Sequence, residues 1–105
     1  VIRVSSAIWD FLILDAVKES GGFAISVTDE HITKICEHVG QTDGLLLSPE
    51  GAATFAAYEI SLEKGLIDKT DKVILFNTAT GLKYPLPEVT KNLVKEDDFD
   101  ISKFN

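Results

Sequence analysis

The sequence predicts an α/β protein in which alternating helix–strand units form part of a parallel, three-layer sheet. Three observations carry this. The short apolar runs Phe23–Val27, Leu45–Leu47 and Val73–Phe76 have the length and character of buried strands. The segments between them show helical periodicity with capping residues at their starts. The resulting order of helix, strand, helix, strand, helix, strand is the pattern that crossover connections produce.

Val1–Ala7 reads as the end of a strand running into a small-residue loop, where Ser5 or Ser6 can cap the next element. Ile8–Ser20 is helical in period, and apolar residues surround most of its first two turns, so it is expected to be buried in a larger body. Gly21 and Gly22 stop it. After the strand Phe23–Val27, Thr28 is an N-cap, and Asp29 and Glu30 suit the positive end of a helix. Ile32, Ile35, Cys36 and Val39 then make a single apolar stripe, and Gly40 ends this helix or lies near its end. Leu45–Leu47 is the next strand. Ser48, Pro49 and Glu50 start a third helix: a cap, a residue with the right first-turn dihedral, and a charge that complements the dipole. Ala53, Ala56, Ala57 and Ile60 form its face, and Gly65 closes it. Leu66–Asp71 leads into the last strand.

The 105 residues suffice for one small domain, and the 45% apolar content permits a core. A net charge of −7 argues against nucleic acid and against an anionic membrane surface as partners. The single cysteine, Cys36, cannot form an internal disulfide, which fits a reducing, cytoplasmic setting. No apolar run approaches the roughly 18 residues of a membrane span, and no signal or transit segment is visible. The absence of methionine hints at a piece of something longer.

The stretch Lys72–Pro85, KVILFNTATGLKYP, is the one with most to say about function. A buried strand breaks abruptly into Asn77, Thr78, Ala79, Thr80 and Gly81. In open α/β sheets ligands bind at the carboxyl ends of strands, so a hydroxyl at Thr78 or Thr80 is placed where a cofactor or substrate can use it. The alternative is a capped turn, since Asn, Thr and Gly are turn residues anyway.

NTATGLKYP resembles the C-terminal signature of threonine synthases, pyridoxal-phosphate (PLP) enzymes of fold type II, the tryptophan-synthase-β-like fold. In that family a strand runs into Thr-Gly-His/Ser-Gly-Leu-Lys. This chain keeps Thr78, Gly81, Leu82 and Lys83, and departs at Ala79 and Thr80. The opening RVSSAIWDFLILDAVKESGG resembles a family segment of the form Arg-Val-Pro-Lys-Ala-Leu-Gly-Asp-x-Leu-Ile-Leu, with Trp9 where the family usually has Gly. AISVTDEHI and GLLLSPEGAATFAA are similar to two further family segments.

The resemblance implies that Thr78 hydrogen-bonds the pyridine nitrogen of PLP and that Ala7 packs against one face of its ring. It further implies that residues 1–86 are the C-terminal part of a PLP-dependent catalytic domain, with 87–105 as a C-terminal tail. The activity implied is that of a lyase of amino-acid biosynthesis, converting O-phosphohomoserine and water to threonine and phosphate. The implied partners are this small amino-acid phosphate, the remainder of the same chain and a second copy in a homodimer. The Schiff-base lysine and the glycine-rich phosphate loop of such enzymes are not among these residues, so no catalytic residue is assigned here and the piece alone is expected to be inactive.

Other candidates weigh less. His31 and His38 lie two turns apart on one helix, roughly 10 Å, too far to share a metal ion, and read as surface histidines. No metal site is assigned. Cys36 on the apolar stripe reads as a small buried hydrophobe. Glu50 suits either a substrate-side role or helix-start electrostatics. Glu96, Asp97, Asp98 and Asp100 read as a solvated acidic segment. Two other readings stand beside threonine synthase: another fold type II enzyme, such as cysteate synthase or a threonine or serine dehydratase, and a non-catalytic α/β interaction module.

Overall fold

Thr28 and Ser48 open the two helices that make the core. The computed structural model describes residues 9–85 and residue 102. It contains α1 (Asp10–Ser20), α2 (Asp29–Asp43), α3 (Pro49–Glu63) and a 3-10 turn, Gly81–Lys83. Thr28 is extended, and its hydroxyl accepts the amide N–H of His31 at 3.2 Å. Ser48 does the same for Gly51 at 3.1 Å, with Pro49 in the first turn. Each cap satisfies one of the amide groups that a helix start leaves without an intrahelical acceptor.

The core lies between α2 and α3. Ile35 and Val39 of the α2 stripe are buried against Ala52 and Ala56 of α3, with Ile32, Cys36, Leu47 and Phe55 packed around them. Alanine has no side chain beyond Cβ, so the two helix backbones can approach closely. The buried face of α3 runs through Ala52, Ala53 and Ala56, while Ala57 and Ile60 are half-buried, so the face turns one residue back from the expected one. His31 Nε2 lies 2.8 Å from Glu59 Oε2, joining the two helices at the edge of this core. His31 is therefore a half-buried interhelical residue and not a surface histidine, while His38 is exposed.

Gly40 does not end α2. The helix continues through Asp43, and Gly44 closes it at φ 68°, the left-handed region where a side chain is strained. Gly21 closes α1 in the same way. No residue of α1 is buried. Trp9, Phe11, Leu12, Ile13 and Leu14 are 52–61% exposed, because the close helix packing among the described residues is α2 on α3 alone. Ser5 and Ser6, the expected caps of this helix, lie outside the described residues, as do Ala7 and the tail from Pro87 apart from Ser102.

The expected α/β fold, with helix–strand units in a parallel three-layer sheet, is corrected by the structure. Among the described residues there are three helices and no strand. Residues 23–27, 45–47 and 73–76 do not pair with one another. The one bridge among the described residues joins Leu47 to Thr80, and it is antiparallel. A strand in a parallel sheet is covered on both faces, yet Ile74 is 83% and Phe76 75% exposed. An apolar run reports a tendency to leave water, and it does not supply the neighbouring backbone that a ladder requires.

Candidate functional site

Residues 77–84 fold back onto the approach to α3. The Gly81 amide donates to the Leu46 carbonyl at 2.9 Å, beside the Leu47–Thr80 bridge. The contact is close enough that a Cβ on Gly81 would lie 2.6 Å from the Leu47 oxygen and 2.8 Å from Leu46 Cγ. Glycine is therefore the residue that allows this approach. On the other side of the loop, Ser48, fully buried, donates its hydroxyl to Asn77 Oδ1 at 3.4 Å. The Asn77 carboxamide occupies the space that a side chain on Gly51 would fill.

Lys83 closes the 3-10 turn and is exposed. The turn opens on Thr80, whose hydroxyl accepts the Leu82 amide at 3.4 Å. Tyr84 follows in extended backbone, and its phenol donates to Glu50 Oε1 at 2.6 Å. This bond, and then the backbone amide of Glu50 itself, holds the Glu50 carboxyl below its ordinary range. The same bond, with burial second, pushes the Tyr84 phenol up. Glu50 thus acts through the loop as well as at the helix start.

Thr78 lies between the two anchors. It is exposed, and its hydroxyl makes no hydrogen bond among the described residues. Thr80, also exposed, uses its hydroxyl as an acceptor within the turn, an engagement that Thr78 lacks among the described residues. A groove of about 330 Å³ runs nearby between α2 and the turn, with Ile32, Cys36, Leu47, Pro49 and Tyr84 in its walls. Thr78 is not among those walls. Burial, followed by the charge of Glu37, raises the Cys36 thiol, which keeps it protonated and unreactive. Among the described residues no group of three His, Cys, Asp or Glu side chains is arranged to hold a metal ion, and no helix is long and apolar enough to cross a membrane.

Curated relatives agree on one family. The chain is 33% identical over 84 residues, 80% of its length, to threonine synthase of Methanocaldococcus jannaschii. It is similar to a segment of threonine synthase. It is 32% identical over 84 residues to the threonine synthase of Methanosarcina acetivorans, and 32% identical over 85 residues to that of Halalkalibacterium halodurans. Each alignment covers 80% of this chain, and the chain spans only 21–24% of the length of these threonine synthases. Neither a protein-family profile nor a solved structure matches it.

Sequence reasoning missed the contribution of Tyr84. Its hydroxyl meets Glu50 only because the turn folds back onto α3. The available signal was Pro85, which holds the preceding residue in extended backbone and so fixes the direction in which Tyr84 leaves the turn.

Proposed function

We propose that this chain is part of a PLP-dependent threonine synthase, an enzyme of amino-acid biosynthesis that converts O-phosphohomoserine and water to threonine and phosphate. The observation that carries the reading is the similarity to threonine synthases across four fifths of the chain. The exposed Thr78 hydroxyl, set in a loop anchored at both ends, fits it.

Thr78 hydrogen-bonds the pyridine nitrogen of PLP, and the methyl group of Ala7 packs against the ring. Bound PLP supplies the electron sink for the reaction. A hydroxyl opposite the ring nitrogen, in place of a carboxylate, leaves that nitrogen largely unprotonated. The described residues offer a single contact to the cofactor. The covalent lysine and the phosphate-binding loop belong to other parts of a longer protein, and so does the selection of substrate. Residues 1–86 are a portion of the catalytic domain and 87–105 a tail. The whole enzyme works in the cytoplasm as a homodimer.

The test is PLP binding by the full-length natural protein and its Thr78→Val variant. The reading predicts that the wild type holds PLP and that the variant, which keeps the shape but loses the hydroxyl, binds it more weakly and shifts its absorbance. Equal affinity and identical spectra would remove Thr78 from the cofactor site.

A further inference from the structure

We propose that Tyr84 and Glu50 are positioning residues, a side-chain clasp that fixes the Thr78–Gly81 loop so that the Thr78 hydroxyl faces its ligand. The use of that hydroxyl rests on the reading of Thr78 as a PLP contact. The clasp itself stands on geometry.

The loop is held at two ends by one short stretch of chain. Asn77 is anchored to Ser48, and Gly81 to Leu46. Tyr84 then reaches Glu50, in the first turn of α3. All the anchoring residues, 46–50, thus belong to the approach and start of one capped helix.

The bonds differ in strength. The Ser48–Asn77 contact is long at 3.4 Å, and the Leu82 amide to Thr80 is equally long. The Tyr84–Glu50 bond is 2.6 Å and ends on a carboxylate, the class of hydrogen bond roughly twice as strong as a neutral one. The backbone of Tyr84, φ −119° and ψ 163°, is the conformation that Pro85 imposes on the residue before it. Its ring therefore leaves the turn in a set direction. Loss of the phenol leaves the turn held by weaker, neutral bonds, and the loop backbone that carries Thr78 is held less firmly in place.

The experiment uses the full-length natural protein, with and without added PLP, as wild type and as Tyr84→Phe, Glu50→Ala and Glu50→Gln. Amide hydrogen exchange across residues 78–83, read without PLP, reports the clasp. The dissociation constant of PLP, read from its absorbance, reports the positioning. Tyr84→Phe and Glu50→Ala are expected to speed exchange by about tenfold or more, the size of effect that follows from losing a hydrogen bond to a charged group. Combining them should add little, since both remove the same bond. Glu50→Gln keeps an acceptor and should restore part of the protection. PLP affinity should fall about tenfold in the first two variants and partly recover in the third.

Unchanged exchange in Tyr84→Phe overturns the clasp. Faster exchange with unchanged PLP affinity overturns the positioning role. If the wild type takes up no PLP at all, the assignment of Thr78 fails, while the exchange data still decide whether the clasp exists.

Discussion

The amide of Gly81 donates to the carbonyl of Leu46 at 2.9 Å, and the space beside it is already filled by the Leu47 oxygen and Leu46 Cγ. Gly81→Ala must therefore push backbone apart. It is expected to destabilise the packed α2–α3 unit by about 1–3 kcal/mol, the usual range for overpacking. Gly51→Ala meets the Asn77 side chain, which must swing away and give up its long bond to Ser48. Alanine also favours a helix over glycine by up to about 1 kcal/mol, so this variant should be near neutral. Urea titrations followed by helical circular dichroism distinguish the two, and equal losses would show that the loop does not pack on α3 as described.

The pH dependence of the Tyr84–Glu50 contact has a definite sign. Glu50 is held below its ordinary 4.5, so its contribution to stability is present above 4.5 and is lost as pH falls through the lowered value. Tyr84 is pushed above its ordinary 10.0, so its contribution is present below 10.0 and is lost as pH rises through the raised value. The contact is complete between those limits. Tyrosine absorbance titrations of the wild type and Tyr84→Phe isolate Tyr84 by difference. It should ionise above 10.0 in the wild type and nearer 10.0 in Glu50→Gln. Ionisation of Tyr84 at or below 10.0 in the wild type would contradict the bond.

Removal of the two caps gives a graded pair. Ser48→Ala leaves the Gly51 amide without its acceptor at a fully buried position, and also frees Asn77. A loss of about 2 kcal/mol is expected, at the upper end for caps. Thr28→Ala, at an exposed cap, should cost about 1 kcal/mol. The reverse order in urea titrations would show that burial at Ser48 does not matter.

A core residue should be indifferent to context and an exposed apolar residue sensitive to it. Ile35→Ala removes the centre of the α2–α3 core and is expected to cost about 2–5 kcal/mol, both in the 105-residue chain and in the full-length protein. Ile74→Asp alters a side chain that is 83% exposed, and should change the stability of the 105-residue chain by no more than about 0.5 kcal/mol. In the full-length protein the proposed function requires that this surface be covered, so the same variant should destabilise it markedly. A neutral effect in both would mean that the apolar surface faces water in the natural protein.

What is legible in the sequence is local. Thr28, and Ser48 with Pro49, cap α2 and α3 as their residue types predict, because a cap depends on a few neighbouring residues. The stripe Ile32–Ile35–Cys36–Val39 faces the core because helical spacing alone puts it on one side. The end of α2 is harder to read because Gly40 and Gly44 look alike in sequence, and only the second adopts the left-handed conformation. The lack of a sheet among the described residues is not legible in the sequence: Val73–Phe76 is apolar enough for a strand, but pairing needs a second backbone, and the described chain gives it none. The loop was half legible. Thr78 and Gly81 stand out by type, whereas the bonds of Gly81 to Leu46 and of Tyr84 to Glu50 join residues far apart in sequence.

The most direct test of membership in a larger PLP enzyme is the intact mass and absorbance spectrum of the protein purified from its natural source. The predicted result is a chain roughly three and a half to four times as long as these 105 residues, in keeping with the 84–85 aligned residues that make up 21–24% of the relatives' length, and an absorbance band near the visible edge that shifts on adding borohydride. A mass equal to that of the 105 residues alone, with no such band, would contradict it and leave Thr78 as a turn residue.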